Sequence, residues 1–388
     1  MAGGDLCLNG KGFFFGSTNG YDMPSLQTWN PPAVDNRYNA FSAVGIDAVR
    51  MFFFNDGGMT CADPVDGGTI QTSPGVYSES ALRALDIVVK KAKDRGIKIL
   101  ATFTNNQNDA NGGMCRYLLW AGVISNPSEY NWDLATQYYQ NASIKTWVKN
   151  YMTMLMNRTN TQTGIPYKNE PTIMAWEIMN EPRGSTWANP AIVRDWLREM
   201  AQHIKSVDPK HLVTTGEEGF DNDPPAYDSY ITTNYMWAFN GSVGTSYTMN
   251  TAIPEIDFAS IHNYQYFPGI ANDTTAGRHW ILGHNNIARR FGKPMFIGEY
   301  GLTTNGYGGG LWYYPGANYQ PKIDAFSNWW ALIESTPGIS GDMLWQFVED
   351  GSPWWLAYSP SNIYYTSDTL IWPLFQLHNE RMKAKAGP

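Results

Sequence analysis

Between Gly12 and Phe347, short apolar runs alternate with amphipathic stretches eight times, and this alternation restricts the fold more than any other feature of the chain. A chain that repeats strand then helix buries a parallel sheet beneath its helices, either as an open doubly wound sheet or as a closed (β/α)8 barrel. The apolar runs predict strands at residues 12–16, 46–54, 97–104, from Ile173 to the turn at Glu181, 211–215, 256–261, from Lys293 to Glu299, and 341–347. Helices are expected near residues 35–44, 80–94, 141–158, 190–207, 275–291, 322–335 and 368–383, and the stretch 21–32 reads as a loop rich in aromatic residues and proline. Residues 220–254 carry no clear helix and read as an insertion or a degraded fifth unit. No linker or composition break interrupts the chain, and no GxGxxG follows the first strand to suggest a dinucleotide site. The expected fold is α/β, a single (β/α)8 TIM barrel with extended βα loops, over residues 1–388.

In such a barrel, active groups gather at the carboxyl ends of the strands. The fourth run, PTIMAWEIMNEPR, ends in Asn180-Glu181-Pro182, and proline cannot extend a central strand. Because a residue before proline avoids the helical region, Glu181 is expected on an extended backbone at the strand's end. One glutamate there is more often a solvated loop acid than a catalyst. The pattern recurs, however, in KPMFIGEYG, where Glu299 ends the seventh strand. Strands three apart in a ring of eight place the two carboxylates face to face across the mouth, about 5 to 5.5 Å apart if they cleave a glycosidic bond with retention.

The other strand ends supply Arg50, His262, Tyr264 and Trp345. A buried Arg50 needs a carboxylate beside it. Glu177 lies four residues before Glu181, roughly 13 Å down an extended strand at 3.3 Å per residue, and reads as a buried structural group. Glu217 and Glu218 read as hydroxyl-binding or loop-closing acids, and Asp342, Glu349 and Asp350 as solvated loop acids. The six histidines form no HExxH or similar cluster, so neither a metal nor another cofactor is expected.

Composition bounds the partners. With a net charge of −8 and no Lys/Arg cluster, nucleic acid and anionic membranes are poor candidates, and no apolar run is long enough to span a bilayer. Aromatic residues make up 14% of the chain, many of them, such as Trp312, Trp354 and Trp355, beside loop residues, where rings stack on the C–H faces of sugars. Cys61 and Cys115 follow predicted strands and are placed to form a disulfide, with Cys7 left over or paired elsewhere. A monomeric, secreted protein is expected.

The motif set, with NEP after strand four, His-x-Tyr after strand six, GEYG at strand seven, Arg50 in strand two and Trp345 in strand eight, resembles glycoside hydrolase family 5 over roughly residues 12–347. Within it, AWEIMNEPRG, TTGEEGF and AIPEIDFASIHNY look most like the endo-β-1,4-mannanases, animal ones included. The resemblance implies a retaining double displacement on internal β-1,4 bonds of mannan, glucomannan or galactomannan. It makes Glu181 the acid/base and Glu299 the nucleophile, with Arg50, Asn180, His262, Tyr264 and Trp345 around the sugar. TNNQND stands where many members carry a histidine, which leaves Asn105 or Asn106 as the third strand's contribution. An endo-β-1,4-glucanase of the same family and a non-catalytic sugar-binding barrel are the alternatives.

Overall fold

The computed structural model describes residues 5–107, 110–264, 274–302, 320–348, 363–364 and 370–386. Trp312, Trp354, Trp355, Glu349 and Asp350 lie outside them. Eight parallel strands form one sheet, numbered one to eight here: Phe15–Asn19, Ala48–Phe52, Lys98–Thr102, Ile173–Glu177, Leu212–Thr214, Ala259–Tyr264, Met295–Gly301 and Ile339–Leu344. Ladders join them in the order six, seven, eight, one, two, three, four, five. The seam between five and six is closed by single bonds: Asp257 N donates to Val213 O at 2.9 Å, Thr214 Oγ1 to Phe258 O at 3.0 Å, and His262 N to Glu218 O at 3.2 Å. The architecture is a (β/α)8 barrel.

The principal helices run Pro31–Ala43, Glu79–Asp94, Ala142–Asn157, Ala191–Val207, Thr274–Arg290, Gln320–Ser335 and Ile371–Ala384. Two start on side-chain caps that satisfy otherwise unpaired N–H groups, Ser78 accepting from Ala81 N and Asn141 from Ser143 N and Ile144 N. The fifth unit has no full-length helix, only the short Ser229–Asn234 and Tyr247–Thr251 with single 3-10 turns. The stretch read as a loop at 21–32 is largely helical, Met23–Trp29. Its Pro24, like Pro31 and Pro32 of the next helix, lies in a first turn, where the missing N–H costs nothing, so these prolines start helices.

The core has two parts. Phe15, Ala48, Leu100, Ala175, Phe258, Phe296 and Met343, with Leu6, form a compact apolar cluster separate from the much larger one between strands and helices. Two residues further along the same strands come Arg50, Thr102, Glu177 and Ser260, all fully buried. Since side chains two apart share a face, the interior changes from an apolar floor to a polar upper layer beneath the mouth. Asp342, expected as a solvated loop acid, is buried in strand eight. It accepts from Tyr300 Oη at 2.6 Å and pairs with His378 Nε2 at 2.8 Å, tying the last helix to the barrel. The expected disulfide is present between Cys61 and Cys115, with Cα atoms 5.8 Å apart.

Candidate active site

The ladder of strand four stops at Glu177, and the chain beyond it is pinned from both sides. Asn180 N donates to Thr104 O, and Glu181 N donates to Gly216 O, each at 2.8 Å. Glu181 has φ 52°, in the left-handed region, not the extended backbone expected before proline. Such a conformation in a non-glycine residue costs on the order of 1–3 kcal/mol and persists only where its surroundings enforce it. Gly216 allows the close approach, because a Cβ there would lie 2.2 Å from Met179 O and 2.6 Å from the Glu177 carboxyl carbon.

Glu181 and Glu299 meet at the barrel mouth, both buried. Glu181 Oε1 lies 2.7 Å from His262 Nδ1, and its Oε2 accepts from Gln107 Nε2. Glu299 accepts from Arg50 Nη1 at 2.5 Å and from Tyr264 Oη at 2.6 Å, with His262 Nδ1 at 3.6 Å. One oxygen of each glutamate and a His262 nitrogen lie within 4.8 Å of one another. Three such donors are also a metal-binding arrangement, but the guanidinium against Glu299 repels a cation.

Arg50 organises the floor. Its Nη2 donates to Glu177 Oε1 at 2.5 Å and to Asn180 Oδ1 at 2.7 Å, its Nε to Glu177 Oε1 at 2.9 Å, and its Nη1 to Asn19 Oδ1 at 3.1 Å. Glu177 is therefore buried as expected, yet it lies one guanidinium away from Glu299 instead of remote from the chemistry. Asn180 Nδ2 donates to Asn105 Oδ1 at 2.9 Å, and Asn105 is in turn held by its own Nδ2 bond to Ala110 O at 2.8 Å. Asn105 is fully buried, with both side-chain polar atoms engaged inside the protein. Half-buried Trp345 directly follows strand eight, its ring stacked on Tyr21 at 5.1 Å and 16°. Tyr21 also lines an adjoining pocket with Trp29, Met59 and Asn111.

Electrostatics follow from burial. Desolvation pushes the Glu299 carboxyl above its ordinary value, although His262, Arg50 and the Tyr264 hydroxyl pull it down. Burial lowers His262 despite the carboxylates around it, so its imidazole is neutral near pH 7. For Arg50, burial alone would lower the pKa, but Glu177 and Glu299 outweigh it and keep the guanidinium charged.

Glu217 and Glu218 are buried rather than lining an open cleft. Glu217 accepts from Asn250 Nδ2 at 2.9 Å and Thr215 Oγ1 at 3.0 Å, fastening the irregular fifth unit. Burial pushes it up to about 8, Asp56 up to about 8, and Glu218, despite its Arg183 partner, up to about 7. Each folded-state pKa exceeds the unfolded one. The resulting stability is therefore fully present below about pH 4 and lost as pH rises through 7 to 8, by on the order of a few kcal/mol per group. The unfolding temperature is expected to fall from pH 5 to pH 8, and Glu217→Gln to flatten that slope by gaining more stability at pH 8 than at pH 5. Calorimetry at the two pH values checks this; equal slopes would contradict it.

Sequence reading misses three contributors. Asn19 falls between the expected first strand and the expected loop at 21–32, because the run Phe13-Phe14-Phe15 places strand one three residues early. Gln107 was passed over for its asparagine neighbours. Arg183 carries no local pattern that marks it; beside Glu181 it is bonded to Glu218, one of the two acids expected to bind a hydroxyl or close a loop.

Paired glutamates at the carboxyl mouth of a parallel barrel, one beside a histidine and one clamped by arginine and tyrosine, are the kind of arrangement that glycosidic bond cleavage needs. Residues 3–347 match the family model described as GH family 5 beta-mannosidase-like. The tomato (Solanum lycopersicum) mannan endo-1,4-beta-mannosidase 5 is 32% identical over 355 residues, covering 89% of this chain and 79% of that protein. Mannan endo-1,4-beta-mannosidase 3 of Arabidopsis thaliana is 33% identical over 361 residues, covering 90% and 81%. The solved endo-1,4-beta-mannanase of Rhizomucor miehei superposes with TM-score 0.80 at 25% identity, covering 100% and 99%. An endo-beta-1,4-mannanase from Thermotoga petrophila gives 0.77 at 28%, covering 98% and 79%. The chain belongs to glycoside hydrolase family 5.

Proposed function

We propose that this chain is an endo-β-1,4-mannanase that cleaves mannan, glucomannan or galactomannan by double displacement, with Glu181 as acid/base and Glu299 as nucleophile. The observation that carries the reading is that one oxygen of each carboxylate lies within 4.8 Å of the other, the close pairing of a retaining enzyme, whereas an inverting one holds its carboxyl groups roughly 6.5 to 9.5 Å apart to seat a water. Similarity to the mannan-cleaving relatives supports the substrate, and the disulfide fits an oxidising, extracellular setting. No helix among the described residues is long and apolar enough to cross a membrane.

Protonated Glu181 delivers its proton to the glycosidic oxygen while ionised Glu299 attacks the anomeric carbon, forming a covalent glycosyl-enzyme. Glu181, now a carboxylate, takes a proton from water, which attacks the same carbon and releases the sugar with retention. Neutral His262 gives Glu181 a hydrogen-bonding partner without adding a fixed charge. Arg50 and Tyr264 aim Glu299 and offset its burial. Asn180, oriented by Arg50 and Asn105, offers its amide to the 2-hydroxyl, and Trp345 stacks against the sugar face.

Because burial lifts Glu299, the acidic limb of kcat/KM against pH is expected above the ordinary glutamate value of about 4.3. A limb at or below that value would contradict the assigned electrostatics. Chromatography of the products from mannan, glucomannan and carboxymethylcellulose tests the substrate. Internal cleavage of the first two, with little of the third, is expected. Preference for the cellulose derivative would favour the glucanase alternative.

A further inference from the structure

We propose that Trp187 is a stacking platform for the leaving-group side of the polysaccharide, where it helps select which internal bond is presented to Glu181. This inference rests on the mannanase reading above. Trp187 is 66% exposed, more than any other large hydrophobic side chain among the described residues, and its φ is 58°. Neither burial nor backbone comfort accounts for a tryptophan here, since glycine would adopt this conformation without strain.

The surrounding loop is fastened on two sides. Trp187 N donates to Ser242 O and Gly184 N to Val243 O, both at 3.1 Å. On the other side, Ser185 Oγ donates to Asp133 O at 2.8 Å and Thr186 N to Asp133 Oδ1 at 3.3 Å. A Cβ on Gly184 would lie 2.2 Å from Gly244 O, so the approach of the two loops requires glycine there. The exposed indole is thus carried on a fixed support, which limits the entropy lost when a sugar stacks on it.

Chain direction assigns the side of the cleft. A general acid protonates the oxygen that departs with the leaving sugar, so the chain running outward from Glu181 borders that sugar and those beyond it. Between Glu181 and Trp187 stands Arg183, bonded to Glu218, with its guanidinium 5.3 Å from the centroid of half-exposed Trp132 and 5.0 Å from that of Phe220. Trp187 lies four residues beyond Arg183, on the loop whose Ser185 and Thr186 are bonded to Asp133, the residue after Trp132. β-1,4-Linked sugars present C–H faces that stack on indole, and one such contact corresponds to about a five- to tenfold change in binding.

The test compares the parent, Trp187→Ala, Trp187→Gly and Trp187→Phe on mannohexaose, on mannan, and on an aryl mannobioside whose leaving group is too short to reach residue 187. Trp187→Ala and Trp187→Gly are expected to lose about five- to tenfold in kcat/KM on mannohexaose, mostly through KM, with altered cleavage positions. The aryl substrate should be cleaved at the parent rate, and Trp187→Phe should retain most hexaose activity. Trp187→Gly should also unfold at or above the parent temperature, which separates this role from a structural one. Parent-like cleavage of mannohexaose by the alanine and glycine variants, or equal losses on the aryl substrate, would overturn the inference alone. A parent inert on mannan would overturn the mannanase reading and the inference together.

Discussion

Glu181→Gln and Glu299→Gln are each expected to lower kcat on mannan by at least about three orders of magnitude while leaving the fold intact. Both changes preserve volume and remove only the ability to carry a proton or a negative charge. The two losses should differ in kind. Without Glu299 no glycosyl-enzyme forms, so activated aryl substrates are lost as well. Without an acid at Glu181 the first step slows least for a leaving group that needs no proton, so an activated aryl substrate should retain a burst of released phenol followed by slow turnover. Turnover in either variant within about tenfold of the parent would count against these roles.

Arg50→Leu should have the largest combined effect on stability and activity. Arg50 is fully buried between Glu177 and Glu299, and removing it leaves two carboxylates facing each other in a dry interior with their common counter-charge gone. Losing one partner of a buried ion pair typically costs about 3–5 kcal/mol, and some of that loss would be relieved by protonation of the stranded acids. A protonated Glu299 is a poor nucleophile, so kcat should fall at least about a hundredfold, less so at higher pH where the acid ionises again. Glu177→Gln should be milder, because Arg50 keeps Glu299 and the glutamine keeps a hydrogen bond. Denaturant unfolding and a pH-rate profile of both variants check this ordering, and a stable Arg50→Leu with parent-like activity would refute it.

The sequence made the barrel and its mouth legible because strands buried on both faces appear as unbroken apolar runs. A glutamate closing such a run, as at positions 181 and 299, is then conspicuous. Strand six was harder. His262, Asn263 and Tyr264 read as the loop after it, whereas the ladder runs through Tyr264. The upper interior of the barrel is polar, so polarity there does not mean that the strand has ended. Glu177 reads correctly as a buried group, but its link to Glu299 does not show in the sequence, because its partners Arg50 and Thr102 come from other strands. The left-handed turn at Glu181 depends on Gly216, which is distant in sequence and close in space. Contacts between separate loops, such as Gln107 with Glu181, leave no periodic trace in the chain.

The most direct test of the paired-glutamate mechanism is the configuration of the sugar first released. Proton NMR of a β-1,4-manno-oligosaccharide, recorded within the first minutes of cleavage before mutarotation, reports it directly. Glu299 attacking opposite Glu181 at short range predicts that the β-anomer appears first. Initial release of the α-anomer would mean a single displacement by water, and would contradict the account.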